Sequence, residues 1–357
     1  MNTDSPTPEG VASAPSTLAR QLMGFVFAVL LVIPLGIFYR EFFARDQASK
    51  AIQIRRGPYQ GWSNALFIAS STVEAIVVPS VGRVMQFRFV GEEGPFWENP
   101  ALSGKSPDPT STDWGNFGGD KSWPSPQEAW GRWTPRAWPP PPAFDSMAVE
   151  GVIKEGQVLL RSPVDPFFRI RTERVIRIDP EEPKMVITTR FEKVDADAPA
   201  GGAVVTNEVG VWIITQLKDP QAVFLPIPSD TLYPEGYNRQ SEALPLDLTR
   251  SENLLSLKRN PGAAHKIGSD SSTLLWIGER IALRIDSPRS KEARYPDQGS
   301  SAEVYTNPDP LSYVELEMLG PLHLLKPGDV IYQTNSYLLI RRTEPTAEAE
   351  ARRILGR

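Results

Sequence analysis

The chain contains no cysteine among its 357 residues and only two histidines, His265 and His323. The first absence excludes a disulfide framework, a thiolate metal centre and a cysteine nucleophile. The second leaves no histidine cluster for a metal and two isolated candidates for an imidazole acid or base. An excess of basic charge is missing as well. The net charge of −5 speaks against a nucleic-acid partner, which would call for a basic surface. No HExxH pair, no acidic run with EF-hand spacing and no Gly-rich phosphate loop occurs. No metal or cofactor is therefore expected. Convincing helical periodicity is also lacking between Ala65 and Arg342.

Rigid aromatic surface, by contrast, is plentiful. The stretch "GGDKSWPSPQEAWGRWTPRAWPPPPAFD" holds four tryptophans and seven prolines within residues 118–145. Proline runs force an extended backbone and do not fit inside a sheet, so "WPPPP" reads as a stiff strap laid across something. One role for it is cover, with Trp130, Trp133 and Trp138 sealing a sheet face. Another is a ligand platform, in which indoles stack on sugar rings while Asp120, Lys121 and Gln127 beside Trp123 meet the hydroxyls. Under that reading the Gly118-Gly119 pair permits close backbone approach. A third is docking of a protein partner, the strap serving an envelope scaffold.

The one long hydrophobic run lies near the N-terminus, in "RQLMGFVFAVLLVIPLGIFYREFF". Its Leu22–Tyr39 segment carries no charge, and about 18 apolar residues at ~1.5 Å each just span a bilayer. No small-x-small cleavage site follows, so an uncleaved single-pass anchor is expected. Arg20 precedes the span while Arg40, Arg45, Lys50, Arg55 and Arg56 follow it. That bias favours a cytoplasmic domain, whereas an N-terminal signal-anchor ahead of a large domain exports it. The extracytoplasmic side is the reading adopted. The expected organisation is a polar leader over 1–19, the anchor over 20–45 and a connector over 46–62. A β domain over 63–343 and a terminal helix and tail over 344–357 complete it.

Short β-branched and aromatic runs fill the domain, separated by turn-formers. "RVMQFRFV" alternates cleanly, as do "FRIRTERVIRID" and "YVELEMLGPL". An all-β architecture, one large antiparallel sandwich, follows from many such strands without a linker between them. The "DADAPAGGAVV" segment reads as a solvent-facing hairpin loop.

Four motifs, "NFGGDKSWPSPQEAW", "WPPPPAFD", "YPDQGSSAEVYTN" and "YVELEMLGPLHLLKPGD", resemble the DUF4380 family of bacterial proteins over about Asn64–Arg341. That family looks like a member of the galactose-mutarotase-like superfamily. The resemblance implies a supersandwich whose concave sheet binds a sugar or oligosaccharide. It also implies a catalytic base, for which Glu317 in "YVELEMLGPL" fits best and Glu315 second. Two residues apart on a strand, they share a face, where paired carboxylates raise one another's pKa. The superfamily's acid is a mid-chain histidine, but here "TNEVGVWIITQ" offers Trp212 and no histidine. Sugar binding without catalysis is therefore the primary expectation, a sugar 1-epimerase the alternative. Arg83 after Gly82, Gln216, Lys266 beside His265, and Asp297 in "RYPDQGS" complete the expected ligand contacts.

Overall fold

Alternation dictates most of the architecture. The structure, a computed structural model, describes Met1 and residues 51–195, 208–245 and 247–356. The expected membrane anchor and nearly all of the "DADAPAGGAVV" loop lie outside the described residues. Among the described residues no helix is long and apolar enough to cross a membrane.

Strands β1 (Gln53–Tyr59), β2 (Trp62–Ala69), β3 (Val73–Val78), β4 (Arg83–Phe89) and β5 (Asp120–Ser125) build half of one sheet. β6 (Glu150–Lys154), β7 (Gln157–Val164), β8 (Ile170–Ile178) and β9 (Lys184–Lys193) build half of a second. β10 (Gly210–Lys218) returns to the first sheet and β11 (Ala222–Pro226) to the second. The first sheet is completed by β12 (Asn238–Arg239), β15 (His265–Ser269), β18 (Ala302–Thr306) and β19 (Tyr313–Leu319). The second gains β13 (Thr249–Ser251), β14 (Leu254–Leu257), β16 (Thr273–Ile277), β17 (Ile281–Asp286) and β20 (Val330–Arg341). Each sheet thus has ten strands, and the centre of the first reads β4-β5-β10-β19-β18-β15. The fold is all-β with two large antiparallel sheets, as the alternating runs imply.

β1 falls inside the stretch expected to be a connector. As an edge strand it accommodates Pro58, whose missing N–H would be costly in a central strand. The terminal helix, α1 (Ala347–Leu355), lies where good helix formers place it. Thr346 caps its start through the Ala349 amide, and Gly356 closes it at φ 67°.

One continuous apolar cluster fills the space between the sheets. Val314, Leu316 and Met318 of β19 meet it from the first sheet, and Ile176, Leu283 and Leu339 from the second. A polar junction is set into this core. The Asp120 carboxylate, fully buried, is held by the Arg174 guanidinium of β8. It also accepts from Tyr337 Oη at 2.6 Å and Thr215 Oγ1 at 2.7 Å. Burial and the Asp120 charge push the Tyr337 phenol well above its ordinary pKa, keeping it a donor.

Asp120 starts β5 through the Gly118-Gly119 turn, whose φ values are 91° and 72°. A Cβ on Gly119 would lie 2.6 Å from the Val84 carbonyl. The close approach these glycines allow is to the protein's own backbone, not to a ligand. Pro124 is tolerated inside β5 because β4 pairs with β5 only at Val84–Asp120, leaving that flank otherwise free of β4.

Asp120→Ala leaves Arg174 buried without its counter-charge. The expected loss is about 3–5 kcal/mol of unfolding free energy, read from urea denaturation. A loss below about 1 kcal/mol would show that the junction is not needed.

Candidate functional site

The outer face of the first sheet carries the residues of opposite phase to the core. On β5 these are Lys121 and Trp123, on β10 Trp212, Ile214 and Gln216, and on β19 Glu315 and Glu317. On β18 they are Glu303 and Tyr305, on β15 Lys266. Register brings them into rows. Lys121 stands across from Ile214 and then Glu317, while Gln216 stands across from Glu315 and then Tyr305.

Two lysines and three glutamates form a ladder over this face. Lys121 Nζ lies 3.4 Å from Glu315 Oε1, which also accepts from Gln216 Nε2 at 2.9 Å. Lys266 Nζ lies 2.9 Å from Glu317 and 2.7 Å from Glu303. Glu317 accepts in addition from Trp212 Nε1 at 2.8 Å, and Glu303 from Gln240 Nε2. Most of the ladder is buried. Its accessible members are Lys266, with 20 % of its side chain exposed, and Glu315, with 12 %.

Burial without full compensation displaces the protons. Burial pushes the Glu303 carboxyl up to about 8, the Lys266 charge opposing and the Glu317 charge adding to the rise. Glu315 is raised for the same reason, with Lys121 opposing. Burial lowers Lys121 despite its glutamate. Lys266 is also disfavoured by burial, but Glu303 and Glu317 together outweigh that and hold its proton firmly.

Asp297 joins from a loop. Burial raises the pKa of its carboxyl, the Lys266 charge opposing and the Glu317 charge adding to the rise. Asp297 and Gln298 sit at φ 50° and 63°, a left-handed pair rare for residues with a side chain. The Asp297 carbonyl holds this bend by accepting from Ser300 Oγ at 2.9 Å and Asn238 Nδ2 at 3.2 Å. Such strain persists only where the surroundings enforce it, and here it aims a carboxyl at the ladder.

Indoles wall one flank. Trp123 touches the rings of Trp114, Trp130, Trp138 and Trp212 edge-to-face at 5.5–5.8 Å. Such pairs contribute about 0.5–1.5 kcal/mol each. Lys121 Nζ lies 5.0 Å above Trp123 and 5.5 Å above Trp114, and Lys266 Nζ lies 4.8 Å above Trp212. Behind the wall, buried Asp145 accepts from Arg83 Nη2 at 2.7 Å and from the indole N–H of Trp123 and Trp114 at 3.0 Å. Three buried polar atoms of this region are left without a hydrogen-bond partner: Arg83 Nε, Asn116 Oδ1 and Gln216 Oε1.

Glu315, Glu317, Lys121, Trp123, Trp212, Gln216, Lys266 and Asp297 are thus brought together. Asp120 is not, since its odd phase relative to Lys121 turns it into the core. Gln127 sits exposed on a short 3-10 turn after β5, apart from the ladder. Trp123 forms wall, not platform, because other rings occupy its surroundings. Arg83 reaches the site through Asp145. Neither histidine supplies an acid. His265 faces away from Lys266 and lies 3.1 Å from the Ala243 carbonyl, while His323 is exposed.

Glu303, Tyr305, Gln240, Trp114 and Asp145 are participants that the sequence reading did not single out. For Glu303 and Tyr305 the signal was present in "AEVYT", where they alternate with inward Ala302, Val304 and Thr306. Gln240 and Asp145 had none.

No model of a protein family matches this sequence, and no curated protein does. Solved structures with a similar chain trace include a galactose mutarotase-like protein from Clostridium acetobutylicum. It is 9 % identical, with a TM-score of 0.49, covering 82 % of this chain and 100 % of that one. Galactose 1-epimerase from Lactobacillus acidophilus is also 9 % identical, with a TM-score of 0.47, covering 82 % and 99 %. At these identities and scores the likeness is one of chain trace, and the functional reading stands on this chain's own residues.

The Glu303 proton has a consequence for stability. Between the ordinary carboxyl value of 4.5 and about 8 the folded chain holds this proton and the unfolded chain does not. Stability contributed by neutral Glu303 is complete below 4.5 and is lost as pH rises toward 8, at up to about 1.4 kcal/mol per pH unit. Glu303→Gln should flatten the fall in urea midpoint between pH 5 and pH 8. An unchanged slope would place the proton elsewhere.

Proposed function

We propose that the outer face of the first sheet binds a carbohydrate. The observation that carries this reading is the lysine–glutamate ladder itself. Over five adjacent strands Lys121 at one side and Lys266 at the other flank Glu315, Glu317 and Glu303, beside indole and phenol rings, with three buried polar atoms still unpaired. A pyranose presents apolar C–H faces to rings and hydroxyls to such groups. Buried charges that already hold their geometry lose little entropy on meeting a ligand. The scaffold reading of the strap is weaker, because Trp130 and Pro139–Pro141 are buried and Trp138 alone of its indoles is largely exposed.

A second reading, ring opening of an aldose, is favoured by the proton on Glu303. Glu317, held by two donors, Trp212 Nε1 and Lys266 Nζ, serves as base for the anomeric hydroxyl. Glu303, its cross-strand neighbour, holds a proton at pH 7; because both glutamates are buried, its delivery to the ring oxygen requires the site to open around them. Both oxygens sit on one sugar carbon, so an adjacent acid and base suit them. Opening breaks the bond from that carbon to the ring oxygen, and reclosure on the other face returns each proton.

The proposal includes the anchor, in which Leu22–Tyr39 tethers the domain on the extracytoplasmic side, and a kinship with the DUF4380 group, which the motifs resemble. Calorimetry with galactose, glucose and mannose should detect binding, weakened at least tenfold by Glu317→Gln or Lys266→Met. Polarimetry of fresh α-galactose separates binder from isomerase, since only the isomerase speeds the approach to equilibrium. Absence of binding to every saccharide tried would defeat the reading. Fractionation of expressing cells should leave the full chain with the membranes and release it when residues 1–45 are deleted. Full-length chain in the soluble fraction would remove the tether.

A further inference from the structure

A cavity of about 290 Å³ opens on the far side of the indole wall, between the strap and the segment 102–117. It is near the lower end of the size range of ligand pockets, roughly 300 Å³. Trp114 is the shared partition: it lines this cavity, while Lys121 Nζ stands 5.5 Å from the same ring. Asp145 is shared too, lining the cavity and holding both Trp114 and Trp123 by their N–H groups. Glu315, Lys121, the two indoles and Asp145 are therefore linked in turn by an ion pair, cation–ring contacts and N–H hydrogen bonds.

The lining specifies a ligand class. Trp114, Phe117 and Pro139 offer ring surfaces, whereas Lys105 and Arg136 oppose Asp108 and Asp113. Lining charges of both signs give an anion no net basic field, while the exposed Lys105, Asp108 and Asp113 make a polar mouth to the ring-lined cavity. Charges of both signs around flat apolar rings match a neutral polyhydroxylated ring. Arg136 is fixed for such a role, donating to the Ser111 carbonyl at 2.9 Å and the Pro140 carbonyl at 3.4 Å. The strap thereby acquires a purpose beyond cover, as its Pro139-Pro140 corner forms one side of the cavity.

We infer that this cavity is a second saccharide subsite, so that the ligand is an oligosaccharide with one unit at the glutamate ladder and the next beyond Trp114. The inference rests on the carbohydrate reading of the ladder. Titration calorimetry on the full-length protein tests it by pairing each monosaccharide with its disaccharides: galactose against lactose, glucose against maltose and cellobiose. At least one disaccharide should bind ten-fold or more tightly than its monosaccharide. Arg136→Ala should erase that gain while monosaccharide affinity stays the same. Lys105→Ala, at an exposed side chain, should reduce the gain without risk to folding. Equal affinity for both sugar lengths overturns the second subsite and leaves the first standing, as does a gain that survives both substitutions. Binding of no sugar of either length overturns the ladder reading and this inference with it.

Discussion

A single buried carboxylate sets the geometry on which the rest depends. Asp120 lies between the two sheets, held by Arg174 and Tyr337 from one and Thr215 from the other. Because strand neighbours point in opposite directions, fixing Asp120 inward fixes Lys121 outward, and Trp123 with it. A slip of one residue in β5 would expose the aspartate and drive the lysine into an apolar core. The desolvation cost of so deep an ion pair is large. Its return is register, the property the outer face requires.

That outer face has its own unresolved charge. Two lysines serve Glu303, Glu315, Glu317 and Asp297, so full ionisation would leave an excess of negative charge in a poorly solvated site. The excess is relieved by a proton, and burial decides where it stays. Glu303 and Glu317 are both buried, share Lys266 and have one further donor each, Gln240 Nε2 and Trp212 Nε1. Burial, with the neighbouring Glu317 charge adding to it, raises the Glu303 carboxyl and so favours a proton there, the kind of displaced titration that acid–base work needs.

Much of this was legible in the sequence, and the failures have physical causes. Period-two alternation placed Glu315 with Glu317, and Trp212 with Gln216, because β10 and β19 are regular and straight in phase. The same rule applied to "GGDKSW" would have separated Asp120 from Lys121. Proximity in sequence was read there as proximity in space, and strands invert that inference. The strap was legible in part. Cover by Trp130 agrees with its full burial, since aromatic surface of that size is driven against any sheet flank left open, whereas Trp138 stays largely exposed. Asp145 ends a single helical turn and Gln240 lies in a loop, both too short for periodicity, so only folding reveals what they face. The connector expected over 46–62 contains β1, whose proline and arginines suit an edge strand and disguise it as a linker.

The position of Trp212 bears on chemistry. Where a histidine was expected, the chain supplies an indole that donates to Glu317 and lies under the Lys266 ammonium. An indole N–H can orient a carboxylate but cannot deliver a proton at neutral pH. Any proton delivered to a sugar oxygen must then come from a carboxyl or an ammonium group. Lys266 keeps its own, paired with the Glu317 carboxylate, and Lys121 is turned toward Glu315 and the indole wall. The burial-raised carboxyl of Glu303 is left as the donor whose pKa lies near neutrality. On the sugar reading proposed above, the group that holds a proton is then a carboxyl two strands from Trp212 rather than an imidazole.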